Sequence, residues 1–396
     1  LKKLNSREKN IKRHKSLFAI LKFFLGSLIK CKLNLKLEKI NITDKPVIIL
    51  ANHNNDWDPI ILALAANKHT YFVASEHIYR WPTAGKLIKY AFDPIIRMKG
   101  RTEARAAAEI IRTVRNGQNV CVFAEGNRSF NGETGRILPS TAKLISKSGV
   151  NLVTYALTGG YFTYPRWARS MRRGVINGKV MGVYDSDELS KMTHEEIYEI
   201  IKRDLYVNEY DANENGVNYK GGHLAENIEI SLFTCENCNK ISTISSKDDK
   251  FYCDCGLKMR YTKTGTIEGI DGYKNRFNTI LDWDKWQFKR IKKLIENGKN
   301  DVFFGDGNQK LFRIIKEKES ELIGKGSFSA KRDCFIFETD KEKLEFPFDL
   351  IEDVDVIGKM VLTIGTKDRE SYEILSDFPR SAHKYRELFR MVKAEA

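Results

Sequence analysis

In the stretch Asn52-His53-Asn54-Asn55-Asp56-Trp57-Asp58-Pro59, which follows the apolar run Pro46-Val47-Ile48-Ile49-Leu50-Ala51, a histidine stands five residues before a carboxylate. At the end of a buried strand, such a histidine can have its Nδ1 proton held by Asp58 while Nε2 faces outward as a general base, a role worth about 10² to 10⁴ in rate. This is the His-Asp part of a serine-protease triad without the serine, so the attacking hydroxyl would have to come from the substrate. Asp58 also suits the N-cap of the next helix, with Pro59 at the first helical position, and a pair that only caps and fills a loop is an equally open reading. Phe123-Ala124-Glu125-Gly126-Asn127-Arg128-Ser129 closes a second apolar run. There Gly126 permits close backbone approach, Arg128 offers a planar fork for phosphate, and Glu125 can position a substrate hydroxyl or that arginine. Between the two lies Ile95-Ile96-Arg97-Met98-Lys99-Gly100-Arg101, a cationic cluster whose plainer reading is a solvated charge run.

A different chemistry is written in Cys235-x2-Cys238, fourteen residues, then Cys253-x-Cys255-Gly256. The spacing resembles a zinc ribbon, in which two cysteine-bearing turns offer four thiolates to tetrahedral Zn2+. Four soft ligands leave no open position, so the expected ion is structural, with disulfides or an iron-sulfur cluster as alternatives. The seven cysteines are odd in number with four crowded into 21 residues, which favours a reducing compartment and one metal site over a secreted disulfide framework.

Positioning these groups requires a scaffold of strands and helices. Residues 45–50, 70–74, 119–123 and 151–157 read as short buried strands, alternating with helices from Pro59, over 105–115 and over 140–147, the pattern of an α/β layer architecture. At 396 residues the chain has room for two to three domains, and 42% hydrophobic against 30% charged residues with eight prolines excludes a mostly disordered or collagen-like chain. The net charge of +15 is uneven: the first forty residues hold twelve Lys and Arg against Glu8 and Glu38. That asymmetry points to one basic arm facing an anionic surface, acidic lipid or nucleic acid. Its apolar part, Ser16 to Ile29, would reach only about 21 Å as a helix, short of the roughly 30 Å hydrocarbon core, so it is expected to lie in the interface or to cap a core. The basic residues after it do not suit a signal-peptide cleavage site.

Together, in this order, the Asn52/His53/Asp58, Arg97 and Phe123/Glu125/Gly126/Arg128/Ser129 segments resemble the lysophospholipid acyltransferase family, whose best-known members are the 1-acylglycerol-3-phosphate acyltransferases. Ala124 and Asn127 stand where the family has proline and threonine, and Gly149-Val150 lacks the prolines that usually follow in the fourth block. The resemblance covers about residues 45–185 and implies an α/β fold, a core of mixed sheet with flanking helices. It implies His53 as base, Asp58 as its orienting partner, and Arg97, Glu125, Gly126 and Arg128 as the acceptor-binding set, with no catalytic cofactor. Acyl-CoA or acyl-carrier protein would be the donor and a lysophospholipid the acceptor, at the cytoplasmic face of a membrane with the enzyme peripheral or monotopic. Another lysolipid or an amino-lipid acceptor, and an inactive lipid- or nucleic-acid-binding adaptor, are the competing readings; an intact His53 and Asp58 speak against the adaptor, and nucleic acid is not an expected partner.

The expected division is a basic interfacial arm over 1–39, the acyltransferase domain over 40–225, a zinc ribbon over 228–265, a helical connector over 266–300 and a small β domain with a closing helix over 301–396. In the last, Gly324 to Phe337, Lys343 to Asp349, Val361 to Thr366 and Ser371 to Leu375 read as strands and Ala382 to Met391 as a helix, an architecture resembling the pleckstrin-homology fold. The ribbon reads as a nucleic-acid or protein binder or as a brace for a neighbouring domain, and this last domain as a lipid or protein binder. Arg166, Arg169, Arg172 and Arg173 read either as a cationic surface for acidic lipid or an acidic carrier protein, or as a solvated basic face.

Overall fold

The computed structural model describes residues 6–80, 83–97, 104–297, 302–316 and 319–395. They fall into two compact units. The first takes in residues up to Arg97, then those up to Pro165, and Arg172–Tyr219; the second takes in Arg166–Met171 and everything from Lys220 onward. Lys99, Gly100 and Arg101 of the cationic cluster lie outside the described residues.

The first unit is built on one mixed sheet of seven strands: β1 (Leu35–Leu37), β2 (Val47–Ala51), β3 (Thr70–Ser75), β4 (Ile95–Arg97), β5 (Asn119–Phe123), β6 (Asn151–Thr158) and β7 (Ile176–Tyr184), in the order β1-β7-β6-β2-β5-β3-β4. Strands β6, β2, β5, β3 and β4 run parallel to their neighbours, and β7 joins β6 antiparallel. β2 is buried along its whole length, which is why its sequence is a continuous apolar run instead of an alternating one. α1 (Ser6–Lys32) precedes the sheet; α2 (Asp58–Ala65), α3 (Ala84–Phe92), α4 (Ala104–Arg115), α5 (Ser140–Ser148) and α6 (Gly160–Thr163) connect its strands; and α7 (Ser186–Leu189), α8 (His194–Leu205) and α9 (Glu209–Ala212) follow it. Ile48 and Leu50 of β2 with Val120 and Leu152 meet Ile110 and Val114 of α4, Ile145 of α5 and Ile197 and Ile201 of α8 in one core.

Two local expectations are corrected. Asp58 is the first residue of α2 with Trp57 at the N-cap position, and Pro59 is second; the Asp58 side chain makes no capping bond to the helix because it is turned back toward the preceding loop. The amino-terminal helix has 27 residues and begins in the basic segment, since lysine, arginine and glutamate continue a helix well. Among the described residues no helix is long and apolar enough to cross a membrane. One stripe of α1, four residues apart, docks on the unit: His14 bonds Tyr71 Oη at 3.0 Å, Phe18 meets the His69 ring edge, Lys22 Nζ donates to the Ala63 carbonyl, and Gly26 lies close to Leu64. Ile20, Leu21, Phe23, Phe24, Leu25 and Leu28 of the same helix are exposed.

The second unit begins with a four-stranded antiparallel sheet, β8 (Ile244–Lys247), β9 (Lys250–Cys253), β10 (Lys258–Tyr261) and β11 (Ile267–Gly269), ordered β11-β10-β9-β8. α10 (Ile280–Asn297) packs on it, and Gln287 fixes the approach to Cys235 by accepting from Phe233 N at 3.0 Å and donating to the Ser231 carbonyl at 2.8 Å. Seven antiparallel strands follow: β12 (Phe304–Lys316), β13 (Glu319–Ala330), β14 (Cys334–Glu338), β15 (Lys343–Pro347), β16 (Ile351–Ile357), β17 (Val361–Thr366) and β18 (Ser371–Ser376), closed by α11 (His383–Glu395). The stretch from Gly324 to Phe337, read as one strand, is the end of β13 and most of β14 with a turn between them.

A buried ion pair ties these parts of the second unit together. Lys384, 0% exposed, lies 2.6 Å from Asp306, which also accepts from Ser242 Oγ and Tyr385 Oη, both at 2.8 Å. Removing the carboxylate would strand an ammonium in the interior. Asp306→Ala is therefore expected to destabilise the chain by about 3–5 kcal/mol, read as a lowered urea midpoint for the second unit.

Candidate functional site

Parallel strands end in concert, so residues distant in sequence gather at their carboxyl edge. His53 follows β2, Glu125 follows β5, and Arg97 is the last residue of β4. His53 Nδ1 lies 2.8 Å from Asp58 Oδ2. The same oxygen accepts from the backbone N–H of Asn54 at 2.6 Å and of Asn55 at 2.9 Å, so one atom closes the loop and orients the ring. Asp58 is 0% exposed and His53 18%. The imidazole stacks on Phe123, centroids 4.2 Å apart and planes 19° apart, which holds the remaining ring freedom. When Nδ1 keeps its proton and donates it to Asp58, Nε2 carries the lone pair.

The second segment braces the first. Glu125 Oε1 accepts from His53 N at 2.7 Å and Oε2 accepts from Gly135 N at 2.5 Å, so both oxygens serve the backbone. Burial pushes the Glu125 carboxyl up to about 8, against the pull of those two donors. The Ser129 amide donates to the His53 carbonyl at 2.9 Å. Arg128 is buried and donates to Asp56 Oδ2 at 2.9 Å. Arg97 Nη1 donates to the Gly126 carbonyl at 3.2 Å. Gly126 has φ +67°, a left-handed conformation that favours glycine, and a Cβ there would fall 2.1 Å from Arg97 Nη1, so a larger residue would push that guanidinium aside. His53, Asp58, Glu125, Gly126, Arg97 and Arg128 thus form one neighbourhood.

Glu209 was not legible in the sequence. It is 1% exposed and accepts from Asn54 Nδ2 at 2.6 Å, Gly159 N at 2.6 Å and Tyr161 N at 3.2 Å. It lies 155 residues from Asn54, and nothing in its local sequence marks it. Asn52 works beside it, exchanging two bonds with Leu157 across the end of β6. Asp56, inside the His-Asp interval, is a further member that spacing did not single out, and Phe123, named only as part of its motif, lies beneath the ring.

Arg166 and Arg172 are not a cationic surface. Arg166, in the second unit, is 1% exposed and donates to the carbonyls of Val356 and Gly358, each at 2.7 Å; Arg172, in the first unit, is buried and donates to the Phe162 carbonyl. Arg169 pairs with Glu226. The Arg166 and Arg172 guanidiniums thus satisfy buried backbone acceptors, whereas Arg169 is exposed.

In the second unit the Sγ atoms of Cys235, Cys238, Cys253 and Cys255 all lie within 4.8 Å of one another, with Cys235 to Cys255 at 3.5 Å and Cys238 to Cys253 at 3.8 Å. Four sulfurs at about 2.3 Å from a tetrahedral Zn2+ would be about 3.8 Å apart, so the donor set fits that ion. The backbone amides of Asn237 and Cys238 point at Cys235 Sγ, and Asn237 Nδ2 reaches Cys255 Sγ at 3.3 Å, donors that favour thiolates. All seven cysteines are free of disulfides.

Residues 33–158 match the family model described as acyltransferase. Over 124 residues the chain is 28% identical to a Mycoplasma genitalium protein named "Probable 1-acyl-sn-glycerol-3-phosphate acyltransferase", covering 30% of this chain and 46% of that protein. A Mycoplasma pneumoniae protein of the same name is 29% identical over 126 residues, covering 30% and 47%. The chain therefore spans about half the length of the curated relatives it matches. Among solved structures, the 1-acyl-sn-glycerophosphate (LPA) acyltransferase of Thermotoga maritima aligns with 50% of this chain and 81% of that one, at 23% identity and a TM-score of 0.39.

Burial pushes the Glu209 carboxyl up to about 7. An acid whose folded pKa is raised keeps its proton in the folded state while the unfolded chain releases it, so stability falls as pH rises from about 4.5 to about 7. That contribution is on the order of 3 kcal/mol. Glu209→Gln is expected to flatten this part of the stability profile, measured by urea unfolding at a series of pH values, while costing about 1 kcal/mol at low pH through the lost bond to Gly159 N.

Proposed function

Given an acyltransferase-family domain at residues 33–158, we propose that this chain transfers a fatty acyl group from an acyl thioester to the free hydroxyl of 1-acylglycerol-3-phosphate, giving phosphatidic acid. The observation that carries the reading is the 2.8 Å contact between His53 Nδ1 and the buried Asp58 carboxylate at the carboxyl edge of the sheet. His53 Nε2 takes the hydroxyl proton as the oxygen bonds to the thioester carbonyl carbon. Collapse of the tetrahedral adduct breaks the carbon–sulfur bond, and the imidazolium returns its proton to the departing thiolate. Asp58 keeps the ring in the Nδ1–H tautomer and stabilises the imidazolium between those two events. No acyl-enzyme is needed.

Arg97 and Arg128 are the cations assigned to the acceptor phosphate, where planar guanidiniums hold two oxygens at once. Glu125 acts as a positioning residue, since both its oxygens hold backbone amides around His53. Gly126 keeps the space beside Arg97 open. Holding the acceptor in this way supplies much of the barrier reduction. The donor is acyl-CoA or acyl-carrier protein.

Peripheral attachment at the cytoplasmic face of a membrane is supported by the exposed Phe23, Phe24, Leu25 and Leu28 on a helix whose sequence is otherwise basic. Exposed Leu87, Tyr90 and Phe92 lie on α3, which meets α1 through Arg13 and Tyr90. An interfacial helix gains from apolar burial, and each Lys or Arg near an anionic leaflet adds about 1 kcal/mol. In the second unit the four cysteines are assigned a structural Zn2+, and the seven-stranded antiparallel sheet with its closing helix supports a pleckstrin-homology-like reading. Either part can serve a protein partner.

His53→Ala is expected to lower acyl transfer at least about 10²-fold, assayed with labelled acyl-CoA and acyl-carrier protein against a panel of lysolipids, with circular dichroism and metal content unchanged. Activity equal to the unaltered protein would overturn the assignment of the base. Elemental analysis is expected to find one Zn2+ per chain, and Cys238→Ser to reduce that content; a zinc-free protein with an intact second unit would overturn the metal assignment.

A further inference from the structure

Glu209 joins three segments of the first unit that meet at the carboxyl edge of the sheet. Its backbone N–H donates to the Gly132 carbonyl at 2.9 Å, just past the Phe123–Ser129 segment. Its side chain accepts from Gly159 N at 2.6 Å and Tyr161 N at 3.2 Å, on the turn after β6. It also accepts from Asn54 Nδ2 at 2.6 Å, on the loop that carries His53. Glu209 is 1% exposed and Asn54 2%, so water does not compete for these bonds. The residue lies beyond 33–158, the part of the chain that matches the family model.

Asn54 carries this restraint to the base. Its Nδ2 is held by Glu209 and, at 3.1 Å, by the Leu157 carbonyl. Its backbone N–H donates at 2.6 Å to Asp58 Oδ2, the oxygen that faces His53 Nδ1 at 2.8 Å. Asp58 Oδ1 is buried with no hydrogen-bond partner among the described residues. The carboxylate is therefore held by the donors at Oδ2 alone, and a displacement of Asn54 is felt there. Should its amide withdraw, Oδ2 is free to turn from the ring, and the Nδ1–H tautomer loses its preference. Glu209, Asn54, Asp58 and His53 thus form one continuous series of three contacts.

We propose that Glu209 is a positioning residue for the base, acting through Asn54 to keep Asp58 Oδ2 against His53 Nδ1. This role rests on the reading of His53 as the base of acyl transfer, and it is exerted on the loop, not on the substrate. Glu209→Ala removes every bond of the side chain. Glu209→Gln keeps an oxygen toward Asn54 and Tyr161 and loses the bond to Gly159 N.

The test uses the full chain and two readings: the ring ¹⁵N signals of His53, assigned from their loss in His53→Ala, and kcat and KM for acyl transfer to 1-acylglycerol-3-phosphate. Glu209→Ala is expected to weaken the Nδ1–H preference and to lower kcat at least about tenfold, with KM kept within about twofold. Glu209→Gln is expected to restore the tautomer and most of kcat. Asn54→Ala is expected to reproduce the Glu209→Ala effect, and the double variant to lose no more than the larger single loss, as residues on one path do. Thr154→Val, which removes a buried bond to Asp204 elsewhere in the unit, is expected to change neither reading. An unaltered tautomer and kcat in Glu209→Ala, a Glu209→Gln variant as impaired as Glu209→Ala, or a loss that Thr154→Val shares would overturn the proposal. If Glu209→Ala does not fold, Asn54→Ala decides by the same readings. A chain that acylates no lysolipid overturns the acyltransferase reading instead, and the His53 tautomer in the variants still decides the role of Glu209.

Discussion

One carboxylate oxygen organises the site. Asp58 Oδ2 gathers the His53 Nδ1 and the backbone amides of Asn54 and Asn55, three donors on a single buried acceptor. Because the amides are consecutive and the ring belongs to the residue before them, the loop has little freedom once that oxygen is in place. Charge-assisted bonds of this kind are stronger than neutral ones, and the low exposure of Asp58 leaves water few ways to compete. Ring orientation, tautomer and loop shape are therefore consequences of the same contact.

Around it stands a second layer of carboxylates whose work is structural. Glu125 holds the loop from the β5 side through the His53 amide, and Glu209 ties the Asn54 side chain to the backbone amides of Gly159 and Tyr161 after β6. Both have their ionised forms disfavoured by burial, raised to about 8 and about 7. Placing three acids around one histidine costs stability, and the amides that face them offset part of that cost. The second unit uses the same device in Asp306 and Lys384, where a buried pair links Ser242 beside the cysteine cluster to the closing helix.

How much of this could be read beforehand follows from distance along the chain. His53 and Asp58 are five residues apart on one strand-to-helix joint, so their types and spacing already contain the contact. The continuous apolar runs of β2, β5 and β6 betray strands buried on both faces, whereas β7 alternates buried and exposed positions and carries Gly178 and Gly182, so it gave no comparable signal. Glu209 reaches the site only through the folding of the sheet. The four cysteines announced their cluster because two close pairs can meet in few ways, while Arg166 and Arg172 misled because charge in a sequence says nothing of the carbonyls that will surround it. The amino-terminal helix, expected either to lie in an interface or to cap a core, docks one stripe on its unit and leaves other apolar side chains exposed.

The central claim is that Asp58 fixes the His53 proton on Nδ1 and leaves Nε2 as the base. Ring ¹⁵N shifts of His53 at neutral pH measure this directly. A protonated Nδ1 and a pyridine-like Nε2, with that preference lost in Asp58→Ala, is the predicted result; a proton resident on Nε2, or a tautomer balance indifferent to Asp58, would contradict it.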